Sequence, residues 1–299
     1  MTVKPVSVAT AFGVATVGIA FYSIMDAVMK ALVLSIGAYN AMFWRMLVAT
    51  IFGGIVYQAV RRGAWPSRST LRVHLTRGVV SAMMALLFFW GLARVPLAQG
   101  IALAFVAPLI ALYLAAVLLK ERIERRTIYA SLIGFAGVLV ILAAQAEADM
   151  GPEAFRGALA ILAAALLYAY NIILMRRQAL VARPAEVAFF MALVCTGCYL
   201  VAAPFLAVVP PRAEWPTIAG AAALGAGSAM LLSWAYARAE AQYLAPVEYT
   251  AFIWAVLLGW IFFAEPVRPL TVIGAAMIVV GCLLAARRRR PVAGLEGAV

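Results

Sequence analysis

Residues 97–119 read LAQGIALAFVAPLIALYLAAVLL, a stretch with no charged residue from end to end. About 20 predominantly apolar residues make a helix long enough to cross a bilayer. The apolar residues do not alternate with polar ones, as the strands of a membrane barrel require. They also leave no polar side for water. The stretch therefore reads as a transmembrane helix, and the rest of the 299-residue chain is built the same way. Hydrophobic residues make up 67% and charged residues 12%, with a mean hydropathy of +1.02. A soluble domain has about 45–50% apolar and about 25% charged residues, so a water-soluble globule is excluded.

Apolar runs cover residues 7–28, 41–60, 73–93, 97–119, 127–144, 154–175, 187–208, 215–237, 245–264 and 269–286. They predict an all-α polytopic membrane protein with ten transmembrane helices. The first run is too long for the apolar core of a secretory signal and has only Lys4 before it, so it is retained as a helix. Basic residues stay on the cytoplasmic side of a membrane. Of the 24 Lys and Arg, 17 fall at the N-terminus, in alternate connections or in the tail, and five in the opposite connections. Both termini are therefore predicted in the cytoplasm. The formal net charge of +12 comes from short clusters between apolar runs, a pattern that argues against a nucleic-acid partner.

The two halves match at an offset of 144 residues. Trp90, Ala93 and Arg94 recur as Trp234, Ala237 and Arg238, Glu121 as Glu265, Thr127 as Thr271, and Gly137 as Gly281. Five helices per half is an odd number, so the second copy is predicted to insert upside down. Inverted repeats that meet near the membrane midplane are the architecture of alternating-access transporters. The expected division is 1–145, 146–290 and a cytoplasmic tail, 291–299.

The stretch from Ala102 through Pro108 to Ile110, then Leu118 to Arg122, and Ile133-Gly134 to Gly137-Val138 resembles the EamA-type drug/metabolite transporters. A second, looser copy runs from Phe263-Ala-Glu265 through Ile273-Gly274 to Gly281, and Lys30 and Arg45 fit the same pattern. Within that superfamily the chain is most similar to bacterial ten-helix amino-acid exporters of aromatic or broad preference. The resemblance implies export of small metabolites across the inner membrane, by a monomer or weak homodimer in contact with lipid. A multidrug or quaternary-cation exporter on the same fold is the alternative.

Ionisable groups inside spans are functional candidates by default. Asp26 and Lys30, spaced i,i+4, share a helix face and can pair; Arg45 can reach the same region. Together they could hold the carboxylate and amine of a zwitterion or form an outer gate; the competing reading is an interfacial ion pair with snorkelling cations. Glu248 could bind an amine or carry a proton, or complement the positive end of its helix. Glu121 and Glu265 read as braces at helix ends. Pro108 cannot donate to the Ala104 carbonyl and so frees it for a partner, and Gln99 offers a polar contact on the same helix. Tyr22, Tyr168, Asn171 and Trp254 are expected to line an aromatic, mostly neutral cavity suited to apolar or aromatic amino acids. Cys195, Cys198 and Cys282 read as small buried hydrophobes. A lone histidine, His74, and the lack of GxxxxGK[ST] leave no motif for a metal site, an ATP motor or an enzyme.

Overall fold

Gly and Pro set most of the breaks between helices. The computed structural model describes residues 8–61, 65–119, 125–147, 151–179, 181–236 and 247–286. Its helices are α1 (Val8–Ile36), α2 (Ala38–Val60), α3 (Arg68–Leu92), α4 (Leu97–Ala104), α5 (Ala107–Leu119) and α6 (Arg125–Glu147). There follow α7 (Gly151–Ala179), α8 (Pro184–Leu206), α9 (Trp215–Tyr236), α10 (Thr250–Phe263) and α11 (Pro269–Ala286), with no strand among the described residues. Six helices are long and apolar enough to cross a membrane, and four shorter apolar helical segments accompany them. Glu121 and the tail 291–299 lie outside the described residues.

Gly37 separates α1 from α2 at φ 79°, a left-handed conformation that glycine adopts without penalty. α1 therefore runs to Ile36, eight residues beyond the predicted end at 28, because no breaker intervenes between Val28 and Gly37. Ser67 caps α3 by accepting from the Thr70 N–H, which starts that helix five residues before the predicted 73. His74 and Arg77 are consequently well inside it. The stretch that reads as one unbroken fourth helix is two: α4 ends at Ala104 and α5 starts at Ala107. Pro108 supplies the reason, since the ring has no N–H for the Ala104 carbonyl and clashes with that turn.

Polarity is distributed inside out. Phe205, Val201 and Phe262 are among the most exposed side chains, whereas Asp26, Lys30, Arg45, His74, Gln99 and Asn171 are buried. Water would select the reverse; lipid tails around the bundle select this arrangement.

The packing partners are α3 with α7, α1 with α9, α2 with α8 and α6 with α11. Further contacts join α3 to α8, α2 to α9, α5 and α4 to α7, α1 to α10, and α4 to α10. At the α6–α11 crossing two glycines let the backbones meet. A Cβ on Gly137 would lie 2.6 Å from the Gly274 carbonyl oxygen, and one on Gly274 2.6 Å from that of Gly137. Backbone cannot yield as a side-chain tip can. Gly137→Leu is expected to lower the thermal midpoint in detergent by the equivalent of about 1–3 kcal/mol of overpacking. Gly13→Ala, where an added Cβ would meet nothing within 4 Å, should leave the midpoint unchanged.

Candidate substrate site

Between Ser23 and Lys30, α1 is buried or half-buried on all sides, but one turn earlier Tyr22 is 48% exposed. Tyr22 and Asp26 share a helix face. Tyr22 lies within electrostatic reach of Asp26 and Arg45. Tyr168 of α7, 39% exposed, lies within electrostatic reach of Tyr22, Arg77 and Glu248. Tyr22, Tyr168 and Glu248 thus lie in one region of the bundle with Arg77.

Asp26 and Arg45 form the charged part of this interior. Asp26 lies about 15 Å from the end of α1, and Arg45 about 10 Å into α2, at the 1.5 Å helical rise. Asp26 is 4% exposed, and its Oδ1 has no hydrogen-bond partner. Arg45 donates from Nη1 to the Met25 sulfur at 3.2 Å and places its guanidinium 5.8 Å from the Phe89 ring centroid. Its Nε has no partner. The two side chains feel each other's charge, yet no ion pair within 4.0 Å joins them among the described residues. Neither Lys30 nor Arg45 snorkels, since both are buried.

The pairing expected between Asp26 and Lys30 is not formed. Lys30 Nζ instead donates to Glu265, which sits just beyond α10, and to the Val95 carbonyl at 2.7 Å, with the Phe263 ring centroid 5.0 Å away. The same carboxylate accepts the Leu97 N–H at 2.7 Å and so caps the first turn of α4. Ala264 aims it there. This residue is left-handed at φ 52°, which turns the chain so that the Glu265 N–H bonds the Gly259 carbonyl at 3.1 Å. One cation and one anion thus tie α1, α4 and α10 at the end predicted to face outward, and Asp26 is left without its expected cation.

The broken helix brings a second feature. Phe105 lies in the gap between α4 and α5, and its ring meets that of Tyr249 edge-on at 5.3 Å between centroids. Tyr249 occupies a turn immediately before α10, 144 residues after Phe105. The break between α4 and α5 therefore touches the turn that opens α10. Pro108 is half-buried beside the first break, and Trp254 is half-buried one turn into α10, packed against the apolar cluster that contains Ala15 and Val247. Glu248, on the turn before α10, is exposed.

Gln99 and Asn171 are engaged in helix contacts. Gln99 donates to the Ile141 carbonyl of α6 at 3.3 Å. Asn171 Oδ1 accepts from Arg77 Nε and from Ser81 Oγ, both at 3.3 Å. Arg77 also donates to Gln178, whose amide reaches His74 Nδ1 at 2.6 Å; His74 Nε2 meets Glu186 at 3.0 Å. By sequence Arg77 is a charge inside a predicted span, and its partners are not named by any motif. The signal was present, since a charge in a span and a histidine three residues earlier share a helix face. Among the described residues no cluster of His, Cys, Asp and Glu could hold a metal ion.

The EamA-like transporter family matches the chain twice, over residues 10–143 and 155–287. The chain belongs to that family. Like its relatives, this EamA-like chain is a multi-pass membrane transporter of a small molecule. The pseudopaline exporter of Pseudomonas aeruginosa is 27% identical over 275 residues, covering 90% of this chain and 93% of that protein. A riboflavin transporter of Rhizobium johnstonii is 29% identical over 90% of this chain and 88% of its own length. An S-adenosylmethionine uptake transporter of Rickettsia bellii is 25% identical over 69% of each. A protein of known crystal structure shares the fold, with a TM-score of 0.61 and 22% identity over 94% of this chain and 98% of that one.

Breaking one partner of a buried ion pair costs about 3–5 kcal/mol because the survivor stays buried and uncompensated. Lys30→Met is expected to destabilise the protein strongly, and Glu265→Gln less so, since the amide oxygen can still cap Leu97. The double variant should be more stable than Lys30→Met alone, with a coupling above about 1 kcal/mol in a thermal double-mutant cycle.

Proposed function

We propose that this EamA-like chain is a secondary transporter that exports amino acids and related small metabolites across the bacterial inner membrane. The observation that carries the reading is the pair of buried, incompletely bonded charges, Asp26 Oδ1 and Arg45 Nε. A buried charge is costly unless paired and hydrogen-bonded. One acid and one guanidinium in the same interior, not paired with each other, complement a zwitterion. Its carboxylate would take the planar fork of Arg45 and its ammonium Asp26. Tyr22, Tyr168 and Trp254 would then supply apolar and aromatic contact for the side chain.

The same proposal includes alternating access by two inverted halves, 1–145 and 146–290. Exchange of the first five spans for the second five turns the α3–α7 contact into α1–α9, and α3–α8 into α2–α9. It leaves α2–α8 and α6–α11 as they are. The family also matches once in each half. Interrupted helices at corresponding positions are the usual mark of a binding site between repeats, and Phe105 and Tyr249 occupy such positions. Both termini face the cytoplasm in this arrangement, as the basic residues suggest.

A second reading, export of an organic cation, is favoured by one feature alone. Asp26 has lost Lys30 to Glu265 and has no ion-pair partner among the described residues. Counterflow in proteoliposomes separates the two. Labelled threonine, methionine and phenylalanine should exchange without any gradient; proton-linked movement of a quaternary ammonium compound with no amino-acid exchange would move the function to cation export. Hydrogen bonds to charged groups are worth about 1.5–3 kcal/mol, so Arg45→Lys and Asp26→Asn should each raise the half-saturating concentration roughly 10- to 150-fold. Lysine lacks the planar fork, so Arg45→Lys should not behave as a silent change.

A further inference from the structure

The chain of side chains from Arg77 to Glu186 fixes the protonation of its histidine. A guanidinium only donates, so the Gln178 Oε1 must face Arg77, as it does. The Gln178 Nε2 is thereby turned to His74 Nδ1, at 2.6 Å. An amide N–H can only donate, so Nδ1 must be the unprotonated nitrogen. The ring proton then sits on Nε2, where it points at the Glu186 carboxylate 3.0 Å away. The Phe190 ring, stacked at 4.7 Å, closes one face of the imidazole.

This arrangement has no room for a second proton. A proton added to Nδ1 would face the amide N–H of Gln178. If the amide turned over to accept it, the NH2 group would face the guanidinium of Arg77, donor against donor. Protonation of His74 and the Gln178–Arg77 link are therefore mutually exclusive. Loss of the link leaves Arg77, among the described residues, held through Nε to Asn171, and Arg77 lies within electrostatic reach of Tyr168.

We propose that His74 is a proton-binding site that controls the interior of the bundle. Binding of one proton releases Gln178 of α7 from Arg77 of α3 and changes the cationic group presented to the cavity. His74 is 1% exposed while the Glu186 side chain is 17% exposed, so the ring meets solvent through the helix start of α8. Among the described residues, Glu186 of α8 meets the ring directly and Arg77 of α3 reaches it through the neutral Gln178 of α7. Beyond Phe190, Tyr57 of α2 and Trp65 meet that ring edge-on, with Arg61 stacked on Trp65 at 5.2 Å.

His74 is the one histidine in the chain, so [15N]histidine labelling reads it alone. The test uses full-length protein in lipid nanodiscs, purified without a polyhistidine tag. At neutral pH the ring should be wholly in the Nε2–H tautomer, and the Gln178 amide signal should change together with ring protonation as pH falls. An Nδ1–H tautomer, or a ring that protonates while the Gln178 amide stays as it was, overturns the proposal. A second readout rests on the transport reading. Asn at position 74 offers its carbonyl oxygen where Nδ1 stands, keeps the Gln178–Arg77 link and cannot titrate. If the proposal holds, counterflow by the wild type is expected to change several-fold as pH falls and His74→Asn to lose that change; an unchanged pH profile in the variant would refute the role. If no substrate moves at all, the transport reading fails while the tautomer measurement still decides this one.

Discussion

A hydrogen-bonding group inside a bilayer has no water to fall back on, and most of this structure follows from that constraint. Lys30 satisfies it by reaching Glu265 and a backbone carbonyl, which joins three helices at one end. Arg77 satisfies it through Asn171 and Gln178, which joins α3 to α7. Asp26 and Arg45 satisfy it incompletely. Charges that a fold buries and then leaves short of partners are expensive, and the expense is most simply met by a ligand that brings the missing charges with it.

The geometry around those two groups depends on where helices are allowed to fail. Pro108 breaks the fourth apolar stretch at Phe105–Val106, and the turn at Tyr249 precedes α10. Backbone left unpaired at such breaks is tolerated only where it is packed in protein or faces a watery space, and here the two breaks meet each other through the Phe105 and Tyr249 rings. Lys30 and Glu265 tie the end of the bundle predicted to face outward, and Tyr22 and Tyr168 are part-exposed. In the proposed cycle, a substrate bridging Asp26 and Arg45 would be enclosed between these levels.

Apolar run length made the helical membrane fold legible without any coordinates, because twenty uncharged residues have few other uses. The 144-residue offset was legible in recurring residues such as Trp90 and Trp234, and it pairs Phe105 with Tyr249, whose rings meet. Boundaries were less so. Hydropathy ended the first helix at 28, since Lys30 looks like an interfacial residue until its buried partner Glu265 is known. That partner lies 235 residues away and cannot be found from i,i+4 spacing, which pointed to Asp26 instead. Gln99 and Asn171 stand out as polar groups in apolar spans, but sequence does not show that Ile141 and Arg77 engage them. The His74–Gln178–Arg77 chain was hidden because it joins α3 to α7, and helices apolar all round carry no periodicity to say which faces meet.

Equilibrium binding of labelled phenylalanine to the purified transporter, competed by phenylalaninamide and by N-acetylphenylalanine, tests the central claim most directly. The first competitor lacks the carboxylate that Arg45 would take, and the second lacks the ammonium that Asp26 would take. If the two buried charges form a zwitterion site, unlabelled phenylalanine displaces the label and each blocked derivative competes at least about tenfold less well. Full competition by either derivative would contradict the account, and no binding of the amino acid would contradict it as well.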